Sequence, residues 1–261
     1  MLLVIDIGNT NIVLGIFEGD TLKHTWRIHS KENMTEDEYY VLIDGLFKEK
    51  NISKQNIKDI VMASVVPPLE YVFKKLAQKY FNIQPLMLGA GVKTGIDIKT
   101  DNPREVGADL IAGAAAAHNK YKKAAIIIDF GTATTLTAIS SKGEFLGTSF
   151  APGVLISLEA LYRRASKLPK VELTPPKRAV GKNTTESMLS GIFYGTIGQI
   201  ENIVKNMKKE LNDRETIVIG TGGVIKLFEG KMDFIDHIEH ELVLEGLNLI
   251  YRKNTILISA R

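Results

Sequence analysis

The chain has 261 residues, of which 44% are hydrophobic and 24% charged, and its formal net charge at pH 7 is +3. This balance is that of a globular protein with one large domain or two small ones. The small net charge and the lack of a Lys/Arg block argue against a nucleic-acid partner. Without cysteine there are no disulfides or thiolate sites, and no apolar run is long enough to cross a membrane, so we expect a cytoplasmic protein.

The first half of the chain alternates between short apolar runs and amphipathic segments. Strands are predicted where β-branched residues cluster and turn residues follow, and helices where apolar residues recur at helical spacing. The expected elements are strands over residues 2–7, 11–17, 21–28 and 57–66, and helices over residues 36–50, 69–80 and 107–117. Thr35 is the expected N-cap of the first helix.

The opening pattern returns 123 residues later. The run Asp6-Ile7-Gly8-Asn9-Thr10-Asn11 has its counterpart in Asp129-Phe130-Gly131-Thr132-Ala133-Thr134. Each run follows an apolar strand and precedes a second strand, a turn and a third strand. Two similar hairpins half a chain apart predict two related domains that face each other.

The second half continues with strands over residues 124–128 and 135–139, a Pro- and Lys-rich loop over 168–182, and a long helix over 184–211. A strand over 215–219 ends in Gly220-Thr221-Gly222-Gly223. A last helix over 238–251 is expected to return to the first domain.

The two Asp-x-Gly turns carry the residues that phosphate chemistry needs. An aspartate at the end of a buried strand can hold a hydrated Mg²⁺, and a glycine lets phosphate approach the main-chain amides. The alternative is that each is only a hairpin turn, and that the glycine-rich third turn is a plain connection. Neither a Walker motif nor a Rossmann glycine pattern is present, so a nucleotide would bind by another route.

Asp109 is the best candidate for acid–base chemistry. It lies in the first turn of the Ala-rich helix, where the helix dipole favours a carboxylate that stays ionised near neutral pH and can accept a proton. First-turn aspartates are also common for helix stability alone. His237 and His240 stand three residues apart, but they lack a third ligand and are better explained as part of a solvated helix face.

Taken together in order, these motifs resemble the type III pantothenate kinases over nearly the full chain. The segments that carry the resemblance are the two Asp-x-Gly runs, Asp101-Asn102-Pro103, Gly107-Ala108-Asp109, Ala151-Pro152-Gly153, residues 181–195, Gly220-Thr221-Gly222-Gly223 and Leu244-Glu245-Gly246-Leu247. The resemblance implies an α/β fold with two related actin-like (ribonuclease H-like) domains, each a mixed sheet flanked by helices. We expect residues 1–118, joined by the C-terminal segment 245–261, to form the first domain, and residues 119–244 to form the second.

The resemblance also implies ATP-dependent phosphorylation of pantothenate to 4'-phosphopantothenate, the first step of coenzyme A biosynthesis, by a homodimer that requires Mg²⁺ and K⁺ or NH₄⁺. Asp109 would be the general base, and Asp129 would bind the monovalent cation. The implied contacts to Mg²⁺–ATP are Asp6, Ile7, Gly8, Asn9, Thr10, Asn11, Ile12, Val13 and Thr132. The implied contacts to pantothenate are Gly107, Ala108, Asp109, Leu110 and Thr184.

One position departs from the family pattern, which usually has arginine where this chain has Leu110. An arginine is a natural partner for the carboxylate of pantothenate, and Arg104 or Arg163 are candidates to replace it. The departure keeps a second hypothesis open, a kinase for another small alcohol or acid. A third hypothesis is a catalytically weak regulatory accessory factor, against which Asp6, Asp109 and Asp129 argue.

Overall fold

The computed structural model describes residues 1–255, which form two compact units. Unit 1 holds Met1–Ile96, Asp101–Ala116 and the segment that begins at Leu242. Unit 2 holds Asp97–Thr100 and Ala117–Glu241. Each unit is built around one sheet of mixed strand direction.

Unit 1 contains a five-stranded sheet in the order β3-β2-β1-β4-β5. Its strands are β1 (Leu2–Ile7), β2 (Asn11–Glu18), β3 (Thr21–His29), β4 (Asp59–Ser64) and β5 (Leu86–Met87). The first three strands form an antiparallel meander, whereas β4 runs parallel to β1 and β5 parallel to β4. The four strands predicted in this region are confirmed, and the two-residue strand β5 was too short for a periodic signal.

Helices cover both faces of this sheet. They are α1 (Glu36–Glu49), α2 (Pro67–Leu76), α3 (Ala108–Tyr121) and α6 (Leu242–Thr255). Thr35 caps α1 as predicted, in a capping box in which its main-chain N–H donates to Glu38 at 2.8 Å. The helix α2 begins two residues earlier than expected, because prolines are well suited to the first turn, where no main-chain N–H is needed.

Two apolar clusters, one on each face of the sheet, hold unit 1 together. Side chains from β1 such as Leu3 and Ile5 pack with Tyr39 of α1 and Phe73 of α2 on one face. Alternate side chains of the same strand pack with α3 and α6 on the other face. A strand buried on both faces has to be apolar throughout, which is why residues 2–5 read as a continuous run.

The last helix begins at Leu242, so the prediction of a helix from residue 238 was wrong at its start. His237–Ile238 instead form the short strand β11, which pairs with a strand of unit 2. The ring of His237 stacks on that of Tyr121 at 4.5 Å between centroids. The expected helix at His237 and His240 is therefore also wrong, because the pairing and stacking partners come from distant parts of the chain, but both histidines are exposed as expected.

Unit 2 contains a six-stranded sheet in the order β11-β10-β7-β8-β9-β6. Its remaining strands are β6 (Asp97–Ile98), β7 (Ala125–Phe130), β8 (Ala133–Ile139), β9 (Glu144–Pro152) and β10 (Ile217–Thr221). The strands β7, β8 and β9 form an antiparallel meander, as β1, β2 and β3 do in unit 1. The repeated hairpin predicted from the sequence is confirmed.

Two helices belong to unit 2 alone, α4 (Val154–Arg164) and α5 (Thr184–Leu211). The long helix α5 has the predicted bounds, and the side chain of Asn183 caps it by accepting from Glu186 N–H at 2.9 Å. The helix α4 was not predicted. Residues 165–183 contain no helix or strand, in agreement with the predicted loop. No helix in residues 1–255 is long and apolar enough to cross a membrane.

Candidate active site

The first Asp-x-Gly turn joins β1 to β2. Asp6 is the next-to-last residue of β1 and pairs with Val13 of β2 on one side and with Ala63 of β4 on the other. The main-chain N–H of Gly8 donates to the carbonyl oxygen of Asn11 at 3.0 Å and closes the turn. The turn thus combines a partly exposed carboxylate with nearby main-chain groups.

Ser30 fastens this turn from the end of β3. Its hydroxyl donates to the carbonyl oxygen of Gly8 at 2.5 Å, and its N–H donates to that of Thr10 at 3.0 Å. Sequence reasoning missed Ser30. Its position just after the third strand of an antiparallel meander is the signal that could have found it, because such a strand ends beside the first turn.

The residues of the first turn differ in what they can offer a ligand. Asn9 and Thr10 are exposed, and Asn11 and Val13 are partly exposed. The side chains of Ile7 and Ile12 are fully buried in the core cluster of unit 1. The ATP contacts predicted at these two isoleucines can therefore come only from their main-chain groups.

The second Asp-x-Gly turn repeats this arrangement in unit 2. Asp129 is the next-to-last residue of β7 and pairs with Thr135 of β8 and with Thr221 of β10. Thr132 is exposed in the turn itself. The two aspartates therefore occupy equivalent places, each near the carboxyl end of the central strand of its own sheet.

Two glycines pack directly on the second turn. Gly222, in the third turn, has a φ of +94°, and a Cβ at this position would overlap the carboxylate of Asp129 and lie 2.6 Å from the main-chain nitrogen of Phe130. A Cβ at Gly153 would overlap the carbonyl oxygen of Thr132. Within unit 2, these glycines bring two further motifs against Asp129 and Thr132.

Asp109 is the second residue of α3 and is partly exposed. Its Oδ1 accepts from the N–H of Leu110 at 2.8 Å, and a Cβ at Gly107 would lie 2.5 Å from the same oxygen. Burial raises the pKa of the Asp109 carboxyl above its ordinary value, and main-chain hydrogen bonds offset part of the rise. This direction is opposite to the one that the helix dipole favours, because desolvation outweighs the dipole. A raised pKa suits a group that accepts a proton near neutral pH.

The predicted pantothenate contacts fall in both units. Gly107, Ala108 and Leu110 surround Asp109 at the start of α3 in unit 1, and all are partly exposed. Thr184 is the exposed first residue of α5 in unit 2.

The two arginines considered as replacements for the family arginine differ in their surroundings. Arg163 forms an ion pair with Glu159 at 2.6 Å along α4. Arg104 is exposed in a 3₁₀ turn, Pro103–Glu105, shortly before Asp109.

No group of three or more His, Cys, Asp or Glu side chains in residues 1–255 is arranged to hold a metal ion. Mg²⁺ bound with a nucleotide needs no such cage, since it keeps several waters and takes one or two carboxylates plus phosphate oxygens. Asp6 and Asp129 each place a carboxylate beside an Asp-x-Gly turn, where phosphate oxygens could complete the coordination of the ion. Phosphoryl transfer requires positioning and charge neutralisation of the phosphates, together with a group that receives the proton of the acceptor.

Comparison with solved structures identifies the fold. The chain has the actin-like fold of acetate and sugar kinases. An inorganic polyphosphate/ATP-glucomannokinase from Arthrobacter sp. strain KM aligns with a TM-score of 0.50 and 13% identity, over 97% of this chain and 98% of that one. A Campylobacter jejuni protein assigned to the Baf family of transcriptional activators aligns with a TM-score of 0.60 and 18% identity, over 97% and 99%. At such identities the likeness concerns the fold alone.

Sequence comparison then gives the family. The family model for type III pantothenate kinase matches residues 2–206, and the chain belongs to this family of kinases. Type III pantothenate kinases from Exiguobacterium sp. and Halalkalibacterium halodurans are 48% and 49% identical over 254 residues. The alignments cover 97% of this chain and 99% and 100% of those proteins. Of the three functions considered from the sequence, the family supports the pantothenate kinase.

Proposed function

We propose that this protein transfers the γ-phosphoryl group of ATP to the primary hydroxyl of pantothenate, with Asp109 as the general base. The observation that carries the proposal is the Asp109 carboxyl at the start of α3, whose pKa desolvation raises, in a chain of the type III pantothenate kinase family. The carboxylate accepts the hydroxyl proton, and the hydroxyl oxygen forms a bond to the γ-phosphorus. The bond from the γ-phosphorus to the bridging oxygen breaks, and ADP leaves with the electron pair.

The nucleotide contacts in this proposal come from residues 6–13, with Thr132 contributing its hydroxyl. Asn9, Thr10 and main-chain N–H groups of the first turn bind phosphate oxygens, as polar turns do elsewhere. Asp6 holds Mg²⁺ through its partly exposed carboxylate and bound water. Asp129 binds the monovalent cation, K⁺ or NH₄⁺, which needs oxygen ligands and a compensating negative charge.

Pantothenate in this proposal contacts residues 107–110 and the hydroxyl of Thr184. Leu110 has no charge to offer the carboxylate of pantothenate. Its contribution is therefore packing against the acceptor, and the carboxylate is bound by another group.

The direct test is an assay of purified protein with ATP, Mg²⁺, K⁺ and pantothenate, in which the product is identified as 4'-phosphopantothenate by mass spectrometry.

The change Asp6→Asn should raise the Mg²⁺ concentration needed for half-maximal turnover, because an amide binds Mg²⁺ more weakly than a carboxylate. Asp20→Asn, an exposed aspartate in the turn between β2 and β3, is the matched control. An unchanged Mg²⁺ dependence in the Asp6 variant would remove Asp6 from metal binding, and failure to phosphorylate pantothenate would refute the function.

We also propose that the protein is a homodimer that buries an apolar surface of unit 2. Most large apolar side chains that remain exposed belong to β9, α4, the 165–183 loop and the start of α5: Leu146, Phe150, Leu155, Ile156, Leu161, Val180 and Tyr194. Exposed apolar side chains in such numbers are typical of protein interfaces, and the family resemblance favours a second copy of the chain as the partner. Sedimentation velocity should show a dimer at micromolar concentration that Phe150→Asp converts to monomer. A wild-type monomer at all concentrations would contradict the proposal.

A further inference from the structure

A buried threonine hydroxyl lies next to Asp129 without a hydrogen-bond partner. Thr135 of β8 is 9% exposed, and its Oγ1 is fully buried with no partner among the described residues. Buried hydroxyls are nearly always hydrogen-bonded, because an unsatisfied one costs free energy. A buried hydroxyl without a protein partner is therefore expected to bind a ligand, an ion or a water molecule.

The position of Thr135 in the sheet points to that ligand. Thr135 stands directly opposite Asp129 in the antiparallel pair of β7 and β8, so both side chains project from the same face of the sheet. On the other side of Asp129, Thr221 of β10 occupies the matching place. Gly222 follows Thr221 and leaves room for the Asp129 carboxylate that a Cβ would take away.

We propose that the hydroxyl oxygen of Thr135 is a ligand of the monovalent cation bound at Asp129. This inference rests on the proposed function, which assigns the cation to Asp129. A hard cation takes neutral oxygens as well as carboxylates. A threonine hydroxyl offers two lone pairs, and it can bind the cation while the carboxylate balances the charge.

The neighbouring residue offers a matched control. Thr134 is 2% exposed, and its hydroxyl also lacks a partner among the described residues. Successive side chains of a strand point to opposite faces, so Thr134 lies on the other face, opposite Phe130. Phe130 packs there in the core cluster with Leu158 of α4 and Phe193 of α5. Thr134 therefore has the same chemistry and burial as Thr135, but it is remote from the carboxylate side.

The test compares Thr135→Val, Thr135→Ser and Thr134→Val in the full-length protein. The first readout is the thermal midpoint with Mg²⁺ and ADP, in KCl and in choline chloride at equal ionic strength. K⁺ should raise the midpoint of the wild type, Thr135→Ser and Thr134→Val, but raise that of Thr135→Val much less. The second readout is turnover, for which Thr135→Val should need roughly tenfold more K⁺ for half-maximal activity.

Each outcome bears on the inference. Equal K⁺-induced shifts of the thermal midpoint in Thr135→Val and the wild type would overturn the inference. They would indicate that water or another protein group is the hydrogen-bond partner of the hydroxyl. A wild type that phosphorylates pantothenate but shows no K⁺ response would also overturn it while leaving the kinase function intact. A wild type inactive on pantothenate with a K⁺ shift that Thr135→Val loses would support the cation ligand and refute the function instead.

Discussion

Asp109→Asn is expected to lower turnover by roughly 10²–10⁴-fold, because it removes the group that accepts the hydroxyl proton. Nucleotide binding should survive, since the predicted phosphate contacts lie in residues 6–13 and at Thr132. Steady-state kinetics with pantothenate and isothermal titration with ATP analogues measure the two effects separately. The control is Asp44→Asn, an aspartate of α1 that forms an ion pair with Lys48 and should leave turnover unchanged.

The same substitution should make the protein more stable at neutral pH. Burial raises the pKa of Asp109 in the folded state above its unfolded value. A group with a raised folded pKa contributes stability that is fully present below the unfolded pKa and is lost as the pH rises through the folded pKa. At neutral pH the ionised carboxylate therefore costs stability, which the neutral asparagine relieves, and the thermal midpoint should rise by about 2–4 °C for each kcal/mol relieved.

A pH profile separates these roles. In the wild type, kcat/KM for pantothenate should fall on the acid side as Asp109 becomes protonated, and this limb should begin above the ordinary pKa range of an aspartate. The limb should be absent from the residual activity of Asp109→Asn. Near-normal turnover in the variant would exclude Asp109 from the mechanism, whatever its effect on stability.

Gly246→Ala is expected to have the largest effect on stability. Gly246 lies in α6, and a Cβ there would overlap the carbonyl group of Ala112 in α3. Because both atoms belong to packed helix backbones, the helices must move apart, at a cost of about 1–3 kcal/mol or more. Urea unfolding should show this loss as a lower midpoint with an unchanged slope.

The same change should also lower turnover, because Ala112 is one helical turn after Asp109. A shift of α3 displaces the carboxylate, and a misplacement of about 1 Å can cost 10²-fold in rate. The control is Gly113→Ala, for which a Cβ would meet only Leu242 at 3.9 Å. That variant should gain up to about 1 kcal/mol, since alanine favours helix more than glycine does. Wild-type stability and turnover in Gly246→Ala would show that the close approach of α3 and α6 is unimportant.

Features that depend on neighbouring residues could be predicted from the sequence, whereas features that depend on residues far apart in the chain could not. Residues 2–7 and 125–128 predict strands because their apolar side chains are contiguous, and Thr35 predicts a helix start because capping involves only neighbours three residues away. The two Asp-x-Gly turns were found by their repetition. By contrast, β5, β6 and β11 have two residues each, which is too few for a pattern, and their pairing depends on strands far away in the sequence.

The amino-acid sequence by itself determined the repeated meanders, the main helices and the family, because these depend on local periodicity and on ordered motifs. Only the tertiary structure decided the direction of the Asp109 pKa shift, the packing of Gly222 on Asp129 and the approach of Gly246 to Ala112. It also decided which of two adjacent threonines lies beside Asp129. The physical reason is that desolvation and close packing are set by groups that are distant along the chain and meet only when it folds.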